Sequence, residues 1–341
     1  MLKIPEHQVA GHKAIDGILG PLIDDSGNFY KPLQNDDRGS KEVAFYESLS
    51  SDTRVPDSIR RYFPVFRGTK SVNASDGSGL HPHLVLEDVV SSYSNPCVMD
   101  VKIGSRTWYP QASEEYISKC LKKDRELSSI TLGFRISGLK LVGSAKEKEK
   151  GTLPWQPHRQ FLQSLSAEDV KLVLSKFVSC NMPSEDATAC PDCAFADKVF
   201  GGSGGILEQL LELKKWFEVQ TIFHFYSCSV LMVYEKESLL NGESSGRGPV
   251  VKLVDFAHVV DAKGSIDHNF LGGLCSLIKF ISDILVSPDD GNCISNDEFQ
   301  FKEIASHASI HVADMLCGPE FKLHPVLLDK MKESISSSKI F

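Results

Sequence analysis

The chain has 341 residues, 41% hydrophobic and 24% charged. That is far from the composition at which chains stay unfolded, and at roughly 100 to 200 residues per domain it is long enough for two domains or one large bilobal unit. With 37 Lys and Arg against 45 Asp and Glu, the formal charge is -8, which disfavours general affinity for nucleic acid or anionic membrane; a polyanion must be met by a local basic patch.

The N-terminus, MLKIPEHQVAGHK, lacks the apolar run and small-residue cleavage site of a secretory signal. Nine cysteines, an odd number, fit reduced thiols in an intracellular compartment better than a disulfide framework. Residues 29–33, 64–68 and 83–89 are rich in β-branched and aromatic side chains and read as strands. Between the first two, residues 39–50 read as an amphipathic helix, with Val43, Phe45, Tyr46 and Leu49 on one face. Residues 71–79 read as a surface loop. The first ninety residues thus form a small α+β lobe, with the boundary at residues 88–93.

A larger lobe, residues 91–341, follows. Helices are expected at 113–130, at 167–179 with Ser166 and Asp169 forming a capping box, and at 206–219. The loop 181–205 contains Cys190-Pro-Asp-Cys193, which is at most half a zinc site because no second CxxC or HxxxH lies at the usual spacing. It ends in a glycine run, 201–205, read as a flexible loop before a helix. Strands at 227–235 and 250–260 flank a Gly/Ser-rich hairpin loop at 241–249. The most apolar stretch, 271–286, is interrupted by Lys279 and Asp283 and is shorter than the ~20 apolar residues that span a bilayer. His307 and His311, four apart on a helical stretch, have no accompanying metalloprotease glutamate and read as structural.

Three elements carry chemistry. In PCVMDVKIG, residues 96–104, strand alternation puts Asp100 and Lys102 on one face, an acid beside an ammonium. In VKLVDFAH, residues 251–258, Asp255 ends a buried strand, where magnesium ligands of phosphoryl-transfer enzymes sit, and the stretch resembles the D-F-G of protein kinases. The protein-kinase catalytic loop and glycine-rich loop are absent. The third element is Lys119, Lys122, Lys123 and Arg125. It is either a solvated face paired with Glu114, Glu115 and Asp124 or a pocket for several phosphates.

PCVMDVKIG fits the P-x-x-x-D-x-K-x-G motif of the inositol polyphosphate kinases. TWYP after it, LGFRISG at 132–138, SCSVLMVYE at 227–235 and VDFAHV at 254–259 follow in that family's order. HQVAGH at 7–12 and DHNFLGGL at 267–274 make the chain most similar to the plant multikinases of the family. The resemblance spans nearly the whole sequence and favours the phosphate pocket for the lysines. It implies an α+β, bilobal kinase-like fold of the SAICAR-synthase-like type with ATP between the lobes, and an inositol phosphate-binding helical segment at about 108–130.

Carried over residue by residue, the resemblance makes Lys31 the lysine that holds ATP phosphates, and Glu87 and Val89 the hinge whose backbone bonds adenine. Asp100 would contact ribose or the acceptor hydroxyl, and Lys102 the transferring phosphoryl group. Asp255 would hold Mg2+, while Lys119, Lys123 and His258 would contact inositol phosphate. The implied activity is ATP- and magnesium-dependent phosphorylation of soluble inositol tris- and tetrakisphosphate towards the pentakisphosphate. The expected protein is a monomer of nucleus and cytoplasm, with no direct nucleic-acid partner and no stable membrane association. The alternatives are a phosphoinositide lipid kinase, which needs a basic or amphipathic membrane-facing surface, and a non-catalytic scaffold with transcription-regulator partners. The presence of Asp100, Lys102 and Asp255 argues against the scaffold.

Overall fold

Two four-stranded antiparallel sheets carry the fold of this computed structural model. The structure describes residues 1–286 apart from 12–13, 15–17, 35, 145–148, 150, 183–190 and 241–246. The chain divides into two units, Met1–Gly291 and Asn292–Phe341, and all described residues belong to the first. Cys190, His307 and His311 lie outside the described residues.

The first sheet comprises β1 (Leu22–Ile23), β2 (Asn28–Pro32), β3 (Phe66–Asn73) and β4 (Leu80–Glu87), in the order β1-β2-β4-β3. Helix α1 (Asp37–Ser51) follows β2, and a short α2 (Asp57–Arg60) precedes β3. Phe45, Tyr46 and Leu49 of α1 join Leu84 and Leu86 of β4 in the main core, where the Tyr46 and Phe66 rings stack at 5.3 Å. Tyr30 and Val85 point to the other face, into a smaller cluster with Leu22 and Val72.

The second sheet contains β5 (Pro96–Ile103), β6 (Phe134–Lys140), β8 (Ser229–Glu235) and β9 (Val250–Val254), in the order β6-β5-β8-β9. Helices α3 (Glu114–Glu126) and α4 (Ser129–Leu132) connect β5 to β6. Helices α5 (Arg159–Gln163), α6 (Ala167–Phe177), α7 (Ala196–Val199) and α8 (Ile206–Phe217) lead to β7 (Phe223–Phe225), and α9 (Lys236–Leu240) lies between β8 and β9. β10 (Val259–Asp261) pairs with β7, and α10 (His268–Val286) ends the described residues. The alternation of β5 sorts its side chains: Cys97, Met99, Val101 and Ile103 enter the main core, leaving Asp100 and Lys102 on the opposite face.

Helix α10, at 19 residues, is long and apolar enough to cross a membrane by length and composition, longer than the interrupted stretch suggested. Phe270, Leu274, Leu277 and Ile281 are nevertheless wholly buried, and the Phe270 ring stacks on Phe217 of α8 at 4.4 Å; it is a core helix. Its first turn also locks the motif glycines. A Cβ on Gly104, whose φ is +104°, would sit 2.6 Å from Asn269 Nδ2, and one on Gly273 would sit 2.1 Å from the Gly133 carbonyl oxygen. DVKIG, LGFRISG and DHNFLGGL therefore meet at one point, where only backbone fits.

Several elements differ from the sequence expectation. The helix expected over 113–130 is two helices, because Leu127 is extended. The strand expected over 250–260 breaks at Asp255, which has φ +71°, a left-handed conformation that a ladder cannot continue. β10 therefore joins a different sheet. β3 runs through Asn73 into the expected loop, and the turn is closed by the Ala74 N–H donating to the Gly79 carbonyl at 2.8 Å. The capping box forms as expected, with Ser166 and Asp169 exchanging side chain-to-backbone bonds of 3.0 and 3.2 Å.

Candidate active site

Lys31 leaves β2 on the α1 side of the first sheet and joins the two sheets. Its Nζ donates to Glu42 Oε1 at 2.8 Å and to Asp255 Oδ1 at 2.7 Å. Glu42 rises from the apolar face of α1, in line with Phe45, Tyr46 and Leu49, and its Oε1 also accepts the Phe256 N–H at 3.1 Å. One carboxylate thus fixes both the lysine and the turn that carries Asp255. Burial works against the Lys31 charge, but the Asp255 and Glu42 carboxylates outweigh it and hold the ammonium well above the usual lysine pKa. For Asp255, burial would raise the pKa; Lys31 and Lys102 reverse this and bring it to about 2. Though ringed by protein, the Asp255 side chain remains 46% exposed, open on one side to a ligand.

On β5, Asp100 and Lys102 stand opposite Leu231 and Ser229 of β8, on one face as alternation predicts. Asp100 is 5% exposed, and the buried Ser229 hydroxyl of β8 is the side chain beside its carboxylate. Burial, reinforced by the Asp255 charge and only partly offset by Lys102, pushes the Asp100 carboxyl up to about 6. Lys102 donates to the Ser227 carbonyl and lies directly across from Arg135 of β6. Like charges so placed destabilise a sheet pair, and Arg135 is answered by the buried Asp124 at 3.1 Å. Asp124 also accepts the Thr107 N–H at 2.9 Å and hydroxyl at 2.8 Å, so it is turned inward and is unavailable to the lysines.

The basic helix is α3, capped by Ser113, which accepts the Tyr116 N–H. Lys119 is exposed and Lys123 half-buried, and neither has an acidic partner among the described residues. Lys122 reaches only Glu126, at 3.9 Å. Burial, followed by the charges of Arg159, Arg135 and Lys102, lowers the Lys123 pKa. Glu114, Glu115 and Asp124, the acids expected to pair with these lysines on a solvated face, form no ion pair with them, and Asp124 pairs with Arg135 instead.

His258, just past Asp255, is enclosed. Its Nε2 lies 3.1 Å from the Tyr116 hydroxyl, its Nδ1 is buried without a partner, and Tyr109 stacks on the ring at 5.4 Å and 26°. Burial first, and then the positive charges of Arg38, Lys102 and Lys41, lower its pKa to about 4. Arg38 and Lys41 come from the first turns of α1, where Arg38 is held by Asp36 at 2.7 Å and the Lys41 Nζ sits 5.4 Å over the Tyr109 ring.

Glu87 and Val89, expected to bond adenine, lie at and just after the end of β4. The Glu87 N–H already donates to the Val65 carbonyl at 2.8 Å, and its carboxylate pairs with Lys252 at 2.9 Å. The Val89 N–H has no partner among the described residues. A cavity of about 350 Å³ lined by Tyr62, Glu87, Val89, Tyr93, Arg247 and Lys252 runs beside β9. It takes in Glu87 and Val89 but none of Lys31, Asp100 or Asp255.

Sequence reasoning missed Glu42, Arg38, Arg135 and Tyr116. Glu42 had a signal: an acid at i, with apolar residues at i+3, i+4 and i+7, lies within a buried helix stripe. Arg135 and Tyr116 had none, because their neighbours come from distant segments.

Known proteins resemble this chain in sequence and fold. The inositol polyphosphate kinase family profile matches residues 83–282. An Arabidopsis thaliana protein, inositol polyphosphate multikinase beta, is 59% identical over 290 residues, covering 84% of this chain and 95% of its own length. An Oryza sativa relative, inositol polyphosphate multikinase IPK2, is 49% identical over 290 residues, with 83% and 95% covered. A solved inositol phosphate multikinase structure superposes with TM-score 0.59 at 53% identity, covering 71% of this chain and 99% of that one. The Saccharomyces cerevisiae multikinase Ipk2, solved with ADP and Mn2+, does so with TM-score 0.57 at 20% identity, covering 76% and 99%. The charged junction of Lys31, Asp100, Lys102 and Asp255 therefore lies in a bilobal kinase-like fold, and the chain belongs to the inositol polyphosphate kinase family, as a kinase similar to its multikinases.

Proposed function

We propose that the chain transfers the γ-phosphoryl group of ATP to hydroxyls of soluble inositol tris- and tetrakisphosphate, towards the pentakisphosphate. The observation that carries this reading is that Lys102 stands between two differently built charge clusters. On one side, Lys31 and Asp255 form an acid-balanced pair; on the other, Lys119 and Lys123 lack acidic partners and so suit a polyanion. A loose phosphoryl-transfer transition state asks for positioning and charge neutralisation rather than covalent help. Lys31 would hold ATP phosphates, Lys102 the group in transit, and Asp100 the ribose or the acceptor hydroxyl. The backbone of Glu87 and Val89 would bond adenine, while the lysines of α3 and the His258 wall would receive inositol phosphate.

A divalent cation, Mg2+ in this reading, fits beside Asp255. Its carboxylate is ionised, one of its oxygens is committed to Lys31, and the side chain opens to solvent. Among the described residues no cluster of three or more His, Cys, Asp or Glu could form a cage. Mg2+ typically binds one or two carboxylates and takes its remaining oxygens from substrate phosphates and water. Bound there, the ion would neutralise phosphate charge. The lobes would divide at residues 90 and 91, between the two sheets, in a monomer of nucleus and cytoplasm.

Incubating the purified chain with ATP, Mg2+ and a panel of inositol phosphates, followed by separation of the products, tests this reading. Conversion of tris- and tetrakisphosphate to higher phosphates is expected. ATP consumption only with phosphoinositide vesicles, or with none of these acceptors, would refute it.

A further inference from the structure

Tyr116 lies one turn before Lys119 on α3, and Tyr116, Lys119 and Lys123, at i, i+3 and i+7, share one helix face. Its hydroxyl is 3.1 Å from His258 Nε2, and its ring packs against the imidazole at 5.5 Å, with Tyr109 stacked at 5.4 Å. A neutral imidazole carries one proton, on either nitrogen. On Nδ1, which is buried without a partner, it would be an orphaned donor, a rarer defect than an idle acceptor. The proton therefore belongs on Nε2, which donates to the Tyr116 oxygen; the tyrosine O–H then has only the Cys120 thiol, a weak acceptor one turn further on α3, which a phosphate oxygen would displace. Burial first, and then the neighbouring Cys120, raise the Tyr116 pKa, so the hydroxyl keeps its proton. The charged groups acting on His258 include Arg38, Lys102 and Lys41, opposed by Asp36 and by Asp255, and burial with the three cations favours the neutral ring.

We infer that the Tyr116 hydroxyl donates a hydrogen bond to a phosphate oxygen of the inositol phosphate, and that His258 is a positioning residue behind it rather than the contact itself. The inference rests on the reading that α3 receives the substrate. It accounts for a histidine that lies at the site with one nitrogen sealed and the other occupied.

The test is steady-state kinetics of Tyr116→Phe, His258→Leu and the double variant, with inositol trisphosphate and ATP varied in turn. Phe keeps the ring in the stack and removes only the donor. The KM for inositol trisphosphate should rise roughly ten- to a hundred-fold, the scale of a hydrogen bond to a charged group. The kcat, the KM for ATP and the melting temperature should stay near wild type. His258→Leu should raise the same KM, yet add less than about two-fold in the Tyr116→Phe background, since coupled residues are not additive. A silent Tyr116→Phe beside an impaired His258→Leu, or two losses that multiply, would overturn the proposal by making His258 a direct contact. So would a KM rise matched by a lower melting temperature and a raised KM for ATP, which would mark a structural role. If both variants are silent, Lys123→Ala separates the failures. A raised KM there overturns only the tyrosine, whereas another silent result removes the helix from the substrate site.

Discussion

Replacing Glu42 with Gln isolates the carboxylate that ties the two sheets together. Its side chain is only 4% exposed, and its Oε1 holds both the Lys31 ammonium at 2.8 Å and the Phe256 N–H at 3.1 Å. Removing one partner of a buried ion pair costs about 3–5 kcal/mol. Here Lys31 keeps Asp255 at 2.7 Å, and the Gln carbonyl can still accept both hydrogens, so the loss should be about 1–2 kcal/mol, the scale of a weakened charge-assisted hydrogen bond. At about 2–4 °C per kcal/mol for a domain of this size, that is a melting shift of roughly 2–8 °C. Glu42→Ala, which abandons both hydrogens, should cost the full ~3–5 kcal/mol. Because the carboxylate also aims Lys31, the KM for ATP should rise in both variants while the KM for inositol phosphate changes little. Thermal denaturation by circular dichroism and kinetics with varied ATP measure the two effects. If Gln and Ala variants both melt within a degree of wild type with unchanged KM for ATP, the Lys31–Glu42 pair does not organise the site.

Lys119→Ala and Lys123→Ala should each lower kcat/KM for inositol phosphate roughly ten- to a hundred-fold, mainly through KM. Lys122→Ala is the control, since Lys122 turns to Glu126 at 3.9 Å; three variants with near-wild-type kinetics would remove α3 from the site. Asp100 gives a pH signature. Its folded pKa of about 6 exceeds the unfolded value near 3.9, so the stability it contributes is full below about pH 4 and is lost as pH rises through 6, by up to about 3 kcal/mol. Urea midpoints of Asp100→Asn should therefore gain on wild type between pH 4 and 7; curves that stay parallel would contradict a carboxyl whose burial outweighs its favourable neighbours.

How legible the site was depended on whether its geometry is local. The shared face of Asp100 and Lys102 follows from strand alternation, and the Ser166–Asp169 box from spacing alone; both formed. Asp255 was placed correctly at a strand end, but the break it makes, at φ +71°, has only a weak residue-type signal: aspartate is enriched among the few non-glycine residues at positive φ, yet most aspartates do not adopt it. The inward turn of Asp124 depends on Arg135 eleven residues on and Thr107 seventeen residues back. No pattern within the helix announces it. His258 was singled out, but its sealed Nδ1 and its bond to Tyr116, 142 residues away, appear only once the turn after β9 meets α3. The folding unit was recoverable from periodicity because burial is a repeated signal, whereas the charge pairs each depend on one long-range contact.

Single-turnover transfer from γ-labelled ATP to inositol trisphosphate, compared between wild type and Asp255→Ala, tests the central claim most directly. Asp255 is joined to Lys31 yet half open to solvent, so its removal should abolish transfer while leaving the circular dichroism spectrum of a folded chain. Wild-type transfer should require a divalent cation, as expected for phosphoryl transfer assisted by a metal held at one or two carboxylates. Transfer by Asp255→Ala at the wild-type rate, with an unchanged metal requirement, would contradict the account.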